Sequence, residues 1–190
     1  MKRVAIDFGT TNTVVAAWRD AINAPETVCL LGLSVPDQDG LPPLIPSLLY
    51  VLDGVSGRTV AGHAVQTQGY AVQGDKRFFA SFKRGMTAKN RTLARVLDGK
   101  AWDDTRAGEV FLGEVLKTLA EAEGGAIDEL VLTVPVHSFE QYLKWLRDRV
   151  LLGIPRSQWG VQQLRVVDES TAAALGYQVR TPGELVLVFD

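Results

Sequence analysis

Near the start of the chain, Val4-Ala5-Ile6-Asp7-Phe8-Gly9-Thr10-Thr11-Asn12-Thr13 sets one aspartate, one glycine, three threonines and an asparagine at the end of an apolar run. These types suit an anionic oxygen ligand. Gly9 has no Cβ, so backbone there can come close to a bound group. Thr10, Thr11 and Asn12 offer hydroxyl, amide and backbone N–H donors, and Asp7 can hold a hydrated cation beside them. The pattern fits a phosphate and its metal, and it also fits an ordinary polar hairpin turn.

Two further acidic points stand at comparable places. Asp168-Glu169 follows Val166-Val167 and opens a helical pattern, and Asp190 closes the last apolar run. In open α/β sheets ligands collect beyond the carboxyl ends of the strands. Three carboxylates there would surround one point, and magnesium takes such oxygen ligands through its own waters. Taken alone, Asp168 and Glu169 suit helix capping better than catalysis. Other chemistries lack their patterns. No Walker lysine loop, dinucleotide glycine fingerprint or Gly-x-Ser-x-Gly elbow occurs, and His63 and His137 lack zinc-like spacing. Trp18, Trp102, Trp145 and Trp159 are scattered and are expected to pack.

The elements that must hold these residues follow from periodicity. Residues 3–8 and 13–18 read as a hairpin, and Thr27 to Leu31 as a third strand after a loop over 21–26. Four prolines between Pro36 and Pro46 exclude helix there. A strand over 47–51, an Asp53-Gly54 turn and a return strand over 58–61 come next, then a short helix from Gly62. Phe78, Phe79 and Phe82 cluster ahead of Lys83. Thr105 to Glu123 reads as a helix capped by Thr105, with Leu112, Val115, Leu116 and Leu119 on one stripe. Leu130 to Val134 reads as a strand covered on both faces, ending at Pro135. Ser138 with Gln141 is a capping-box pattern opening the next helix. A strand over 163–167, an alanine-rich helix over 169–179 and a strand over 185–189 complete the alternation expected of parallel strands with helical crossovers.

The bulk properties narrow the class. The 190 residues are 46% hydrophobic and 22% charged, as in ordinary globular proteins. Twenty basic against 22 acidic residues leave a net charge of -2, with no basic excess to attract nucleic acid or an anionic membrane. No apolar run reaches the roughly 20 residues of a membrane span. The single cysteine, Cys29, fits a reducing cytoplasm and is expected to be buried in a strand.

Four segments together carry a family resemblance. Ile6 to Thr13 resembles the first phosphate loop of the actin-like ATPases. Val167-Asp168-Glu169-Ser170-Thr171-Ala172-Ala173-Ala174-Leu175 resembles the Asn-Glu-Pro-Thr-Ala-Ala-Ala segment of the seventy-kilodalton heat-shock chaperones. Leu132-Thr133-Val134-Pro135 and Val186-Leu187-Val188-Phe189-Asp190 resemble two strand ends of the same family. Order and spacing agree along the whole chain. The resemblance implies an α/β, ribonuclease-H-like (actin-like ATPase) lobe over 1–35 and 105–190, with a smaller α+β subdomain inserted over 36–104. It further implies that Gly9, Thr10, Thr11 and Asn12 line the phosphates of ATP, with Thr10 near the γ-phosphate. Asp7 and Asp190 would hold magnesium through waters, and Glu169 would orient the attacking water or the metal shell. The implied protein is a cytoplasmic, monomeric chaperone whose ATP/ADP cycle regulates client proteins with co-chaperones.

Three departures bear on this. The family's cleft lysine is expected in the Gly62-His63-Ala64-Val65-Gln66 stretch, where Gln66 stands, so hydrolysis is expected to be slow or absent. Ser170 replaces a proline and Asp168 an asparagine, and Leu143 stands where a signal-relaying arginine is usual. The glycines of the second phosphate loop would follow Asp190. These 190 residues, a fragment or a natural remnant, are therefore expected to be half of a clamp with weak or undetectable ATP affinity and no activity of their own. Alternative readings are a small-molecule (sugar) kinase, a filament-forming bacterial actin relative, and a binding module that does not hydrolyse ATP.

Overall fold

Alternation along the first apolar run decides where the central sheet lies. Val4, Ile6 and Phe8 are buried while Ala5 and Asp7 are exposed, the period-two signature of a strand with one covered face. In the computed structural model, which describes residues 1–36, 40–87, 93–135, 139–151 and 161–176, this run is β1 (Arg3–Phe8). It pairs antiparallel with β2 (Asn12–Arg19), with Phe8 opposite Thr13. β3 (Ala24–Thr27) continues the antiparallel side. On its other edge β1 pairs parallel with β10 (Glu129–Val134), and β10 pairs parallel with β11 (Gln163–Asp168). The strand order is β11-β10-β1-β2-β3, with β4 (Ile45–Pro46) pairing to β2.

Two smaller sheets lie within the segment from 36 to 104. One has the order β6-β5-β7, from β5 (Leu48–Asp53), β6 (Arg58–Ala61) and β7 (Phe78–Ala80). The other is the hairpin of β8 (Arg95–Leu97) and β9 (Lys100–Trp102). The short helix α1 (His63–Thr67) connects β6 to β7, and α2 (Phe82–Thr87) lies between β7 and β8 in the chain. The long helix α3 (Asp104–Ala122) follows. Later come α4 (Phe139–Trp145), which continues as a π-helical turn over Leu146–Leu151, and α5 (Glu169–Gly176). Leu49, Val51, Phe79, Leu97 and Trp102 belong to the same buried cluster as Ile6, Phe8 and the inner face of α3.

Several expectations hold. The first hairpin, the Asp53-Gly54 turn with its return strand, the helix after Gly62 and the Leu112–Leu119 stripe are all present. At Gly54 a Cβ would lie 2.2 Å from the Leu97 carbonyl oxygen, so only glycine lets the two small sheets approach. Other expectations are corrected. The third strand is Ala24–Thr27, earlier than expected, because the ladder with β2 sets its register and hydropathy does not. Beyond it Val28 and Leu30 turn inward, which leaves Cys29 exposed rather than buried. Asp103, not Thr105, caps α3, its carboxylate accepting from the Arg106 N–H at 2.8 Å. β10 alternates buried and half-buried residues instead of being covered on both faces. Ser138, the end of the 169–179 helix and the 185–189 strand lie outside the described residues.

The two small sheets are tied by Asp98. Its carboxylate accepts from the Gly54 N–H at 2.8 Å and from both terminal nitrogens of Arg77 at 2.9 and 2.5 Å. The guanidinium first, and then the backbone N–H, hold its acid form down to a pKa of about 2 from an ordinary 3.8. A depressed carboxylate pKa contributes stability that is fully present above the unfolded value and is lost as pH falls through the folded one. The gap in urea midpoint between the wild-type chain and Asp98→Asn should therefore be widest above pH 3.8 and should close towards pH 2. A gap that stays constant across this range would show that Asp98 contributes nothing through its charge.

Candidate functional site

The register of the parallel strands collects the chemistry at one edge. Ile6 faces Leu132 and Val134 faces Asp168, so Asp7, Thr133 and Asp168 all stand at or near the carboxyl ends of β1, β10 and β11. The Thr133 hydroxyl donates to Asp7 Oδ1 at 2.6 Å, across 126 residues of sequence. Asp7 itself is exposed.

Between β1 and β2 the chain turns through Gly9 to Asn12. Gly9 and Thr10 are half-buried, and Thr11 and Asn12 are exposed. A Cβ at position 9 would stand 2.2 Å from the Asn12 carbonyl oxygen, so the turn closes only around glycine. Ser47 straps the turn from beneath. Its hydroxyl donates to the Gly9 carbonyl at 2.9 Å, lies 3.1 Å from the buried Thr13 hydroxyl, and its N–H donates to the Thr11 carbonyl at 2.8 Å. Sequence reasoning passed over Ser47, whose only local signal was a small hydroxyl residue opening a strand after Pro46.

The two adjacent acids at the start of α5 have separate tasks. Asp168 accepts from the Thr171 N–H at 2.8 Å and from the Thr171 hydroxyl at 2.6 Å, and these bonds lower its pKa. It is the cap that the sequence suggested. Glu169 is not spent on capping. Its Oε1 lies 2.5 Å from Lys83 Nζ.

Lys83 is the residue the sequence did not place. It is 6% exposed, on α2, and its ammonium donates to the Phe8 carbonyl, the last of β1, and to Glu169. Desolvating an ammonium is costly unless it is paired and hydrogen-bonded, and these acceptors meet that demand. The expectation that Gln66 occupies the lysine's position is thereby corrected. Gln66 sits on α1, packed beside β5 and β6, with its amide oxygen 3.3 Å from His63 Nδ1. The lysine at the strand ends is Lys83, delivered because α2 packs back against α3 and α4. Beneath it lies an aromatic bed. Phe8 stands 6.0 Å from Phe82, 5.9 Å from Phe111, 6.5 Å from Tyr142 and 6.3 Å from Trp145 between ring centroids. Burial, and then the nearby Glu169 and Asp7 carboxylates, raise the Tyr142 pKa well above its ordinary value. The structure thus brings Asp7, Gly9, Thr10, Thr11, Asn12 and Glu169 to one end of the sheet. Asp190 and His137 lie outside the described residues.

Comparison with known proteins gives this arrangement its relatives. The chain is 32% identical over 206 residues to a chaperone protein HscA homolog of Cupriavidus metallidurans, an alignment that takes in 98% of this chain and 30% of that protein. It is 28% identical over 201 residues to the HscA homolog of Shewanella sp. (strain ANA-3), again with 98% of this chain and 30% of the relative. The chaperone protein DnaK of Thermosipho melanesiensis is 28% identical over 189 residues, with 98% of this chain aligned. The chain belongs to the heat shock protein 70 family. It is a divergent member, and it spans about 30% of the length of the curated relatives it matches. No protein-family model matches it. Within the family frame, Ser170 and Asp168 mark the divergence: Asp168 caps α5 directly, and α5 carries no proline in its first turn. Among the described residues no helix is long and apolar enough to cross a membrane.

Proposed function

We propose that this chain is the first lobe of a chaperone ATPase, binding the phosphates of magnesium-ATP at the carboxyl ends of β1, β10 and β11. The strand order β11-β10-β1-β2-β3, with three antiparallel strands followed by two parallel ones, supports a ribonuclease-H-like, actin-like lobe. That core covers 1–35 and 105–190, with 36–104 as the inserted α+β subdomain. The observation that carries the reading is Lys83, a buried ammonium fixed at the strand ends by the Phe8 carbonyl and Glu169, beside a turn that only glycine can close.

The donor set fits a metal-bound polyphosphate. Among the described residues it contains an ammonium, hydroxyls, an amide and carboxylates, which suit a hard cation and its oxygen ligands. Magnesium, when bound, neutralises charge on the phosphate oxygens, and Asp7 would hold it through water, with Asp190 as the second carboxylate. Among the described residues no three His, Cys, Asp or Glu side chains converge as a direct metal cage. Gly9, Thr10, Thr11 and Asn12 would cradle the phosphates, with Thr10 towards the γ-phosphate. Glu169 would orient the attacking water while Lys83 stabilises charge building on the transferred group. Catalysis of this kind is positioning and charge stabilisation. In the natural full-length protein, turnover would regulate client proteins together with co-chaperones. The proposed setting is the cytoplasm, in keeping with an exposed, unpaired Cys29.

Calorimetric titration tests the binding half of this reading. The natural full-length protein should bind ATP saturably and only with magnesium present, and Asp7→Asn should weaken that binding at least tenfold. The 190-residue chain by itself should bind weakly or undetectably. Equal binding with and without magnesium, or tight binding by the isolated chain, would contradict it.

A further inference from the structure

Lys83 is held by more than the Phe8 carbonyl and Glu169. Its Nζ lies 5.6 Å from the centroid of the Phe8 ring and 5.8 Å from that of Tyr142, within the distance at which a cation is attracted to an aromatic face. Phe8 is a central core residue, fully buried on β1. Tyr142 reaches the same ammonium from another element, α4, and is 2% exposed. Trp145, three residues on, holds the Tyr142 ring at 5.3 Å between centroids and 48° between planes. Among the described residues, none hydrogen-bonds the Tyr142 hydroxyl. Burial and the neighbouring carboxylates keep that hydroxyl protonated, so Tyr142 meets Lys83 as a neutral ring and not as a counter-charge.

We propose that Tyr142 is a positioning residue for Lys83, holding the ammonium at the strand ends through the face of its ring. The inference rests on the phosphate-binding reading of the same site. The physical reasoning is one of direction. The Phe8 carbonyl and Glu169 fix the ammonium along particular N–H vectors, whereas a ring face attracts it without consuming a donor. Glu169 is partly open, with 29% of its side chain exposed. The ring therefore keeps the charge at its depth when the carboxylate exchanges partners. A packing residue alone would need volume here, not an electron-rich face.

The experiment varies the face and keeps the shape. Tyr142→Phe in the natural full-length protein serves as the reference, and phenylalanines carrying one, three and five ring fluorines follow at position 142. Two readouts are taken: single-turnover ATP hydrolysis, and thermal midpoint with Lys83 or Lys83→Met in place. Turnover should fall stepwise, to about a tenth at full fluorination, the size expected for a desolvated cation–π contact. The midpoint should fall with fluorination when Lys83 is present and stay level in Lys83→Met, since a true pairwise contact is lost with either partner. A flat turnover series, or an equal midpoint trend in both backgrounds, would overturn the role of Tyr142. Turnover unaffected by Lys83→Met itself would sink the phosphate-binding reading and this inference with it. A defective Lys83→Met with a flat fluorine series sinks only the latter.

Discussion

Lys83→Met in the natural full-length protein should lower single-turnover ATP hydrolysis by about 100-fold or more, the usual loss when one preorganised charge-stabilising group is removed from a water-poor site. Methionine keeps most of the side chain's volume, so α2 should stay packed while the ammonium disappears. Two acceptors then lose their donor, the Phe8 carbonyl and Glu169. Leaving a buried acceptor unsatisfied costs about 1–3 kcal/mol, so some stability loss should accompany the defect. The check is rapid-quench turnover at saturating magnesium-ATP, with circular dichroism to confirm folding. Hydrolysis within a few-fold of wild type would mean that Lys83 is a structural ion pair, and the site would lose its main charge.

Phe111→Ala should produce the largest loss of stability, about 3–5 kcal/mol, as for other large buried aromatics cut to alanine. Phe111 lies on α3, is fully buried, stacks on Phe8 at 5.9 Å and leans on Phe82 at 5.3 Å. Those two rings are the supports of the site. Phe8 carries the carbonyl that holds Lys83, and Phe82 immediately precedes Lys83 on α2. Against a typical total of about 5–15 kcal/mol, the loss would leave the domain marginal. Phe111→Leu should cost less, because it fills much of the cavity. Urea midpoints at constant slope measure both. A Phe111→Ala cost under about 1 kcal/mol would show that the bed can collapse around the gap, and Lys83 would then owe its position to its hydrogen bonds alone.

The two variants probe different levels of one construction. Lys83→Met removes the charge and leaves the bed, whereas Phe111→Ala removes part of the bed and leaves the charge. If the bed positions the charge, Phe111→Ala should also slow turnover in molecules that remain folded.

What the sequence determined by itself is local. The apolar runs Val4–Phe8 and Val14–Trp18 on either side of a polar turn specified a hairpin, and Asp7, Gly9, Thr10, Thr11 and Asn12 supplied the polar groups of that turn. The stripe on α3 and the Asp168 cap of α5 were legible too, because strand period, helix period and capping act over a few neighbouring residues. The order of four such segments along the chain also carried the family. What only the tertiary structure decided are pairings across long stretches of chain. Lys83 meets Phe8 across 75 residues and Glu169 across 86, Thr133 meets Asp7 across 126, and Ser47 meets Gly9 across 38. No local pattern distinguishes Lys83 from Lys76, or marks Gln66 as a surface residue of α1. That distinction arises when α2 folds back onto α3 and α4 and carries one lysine out of water, where its charge must find partners. The same contacts sort Asp168 from Glu169: one turns back to its own helix, and the other reaches across to the lysine.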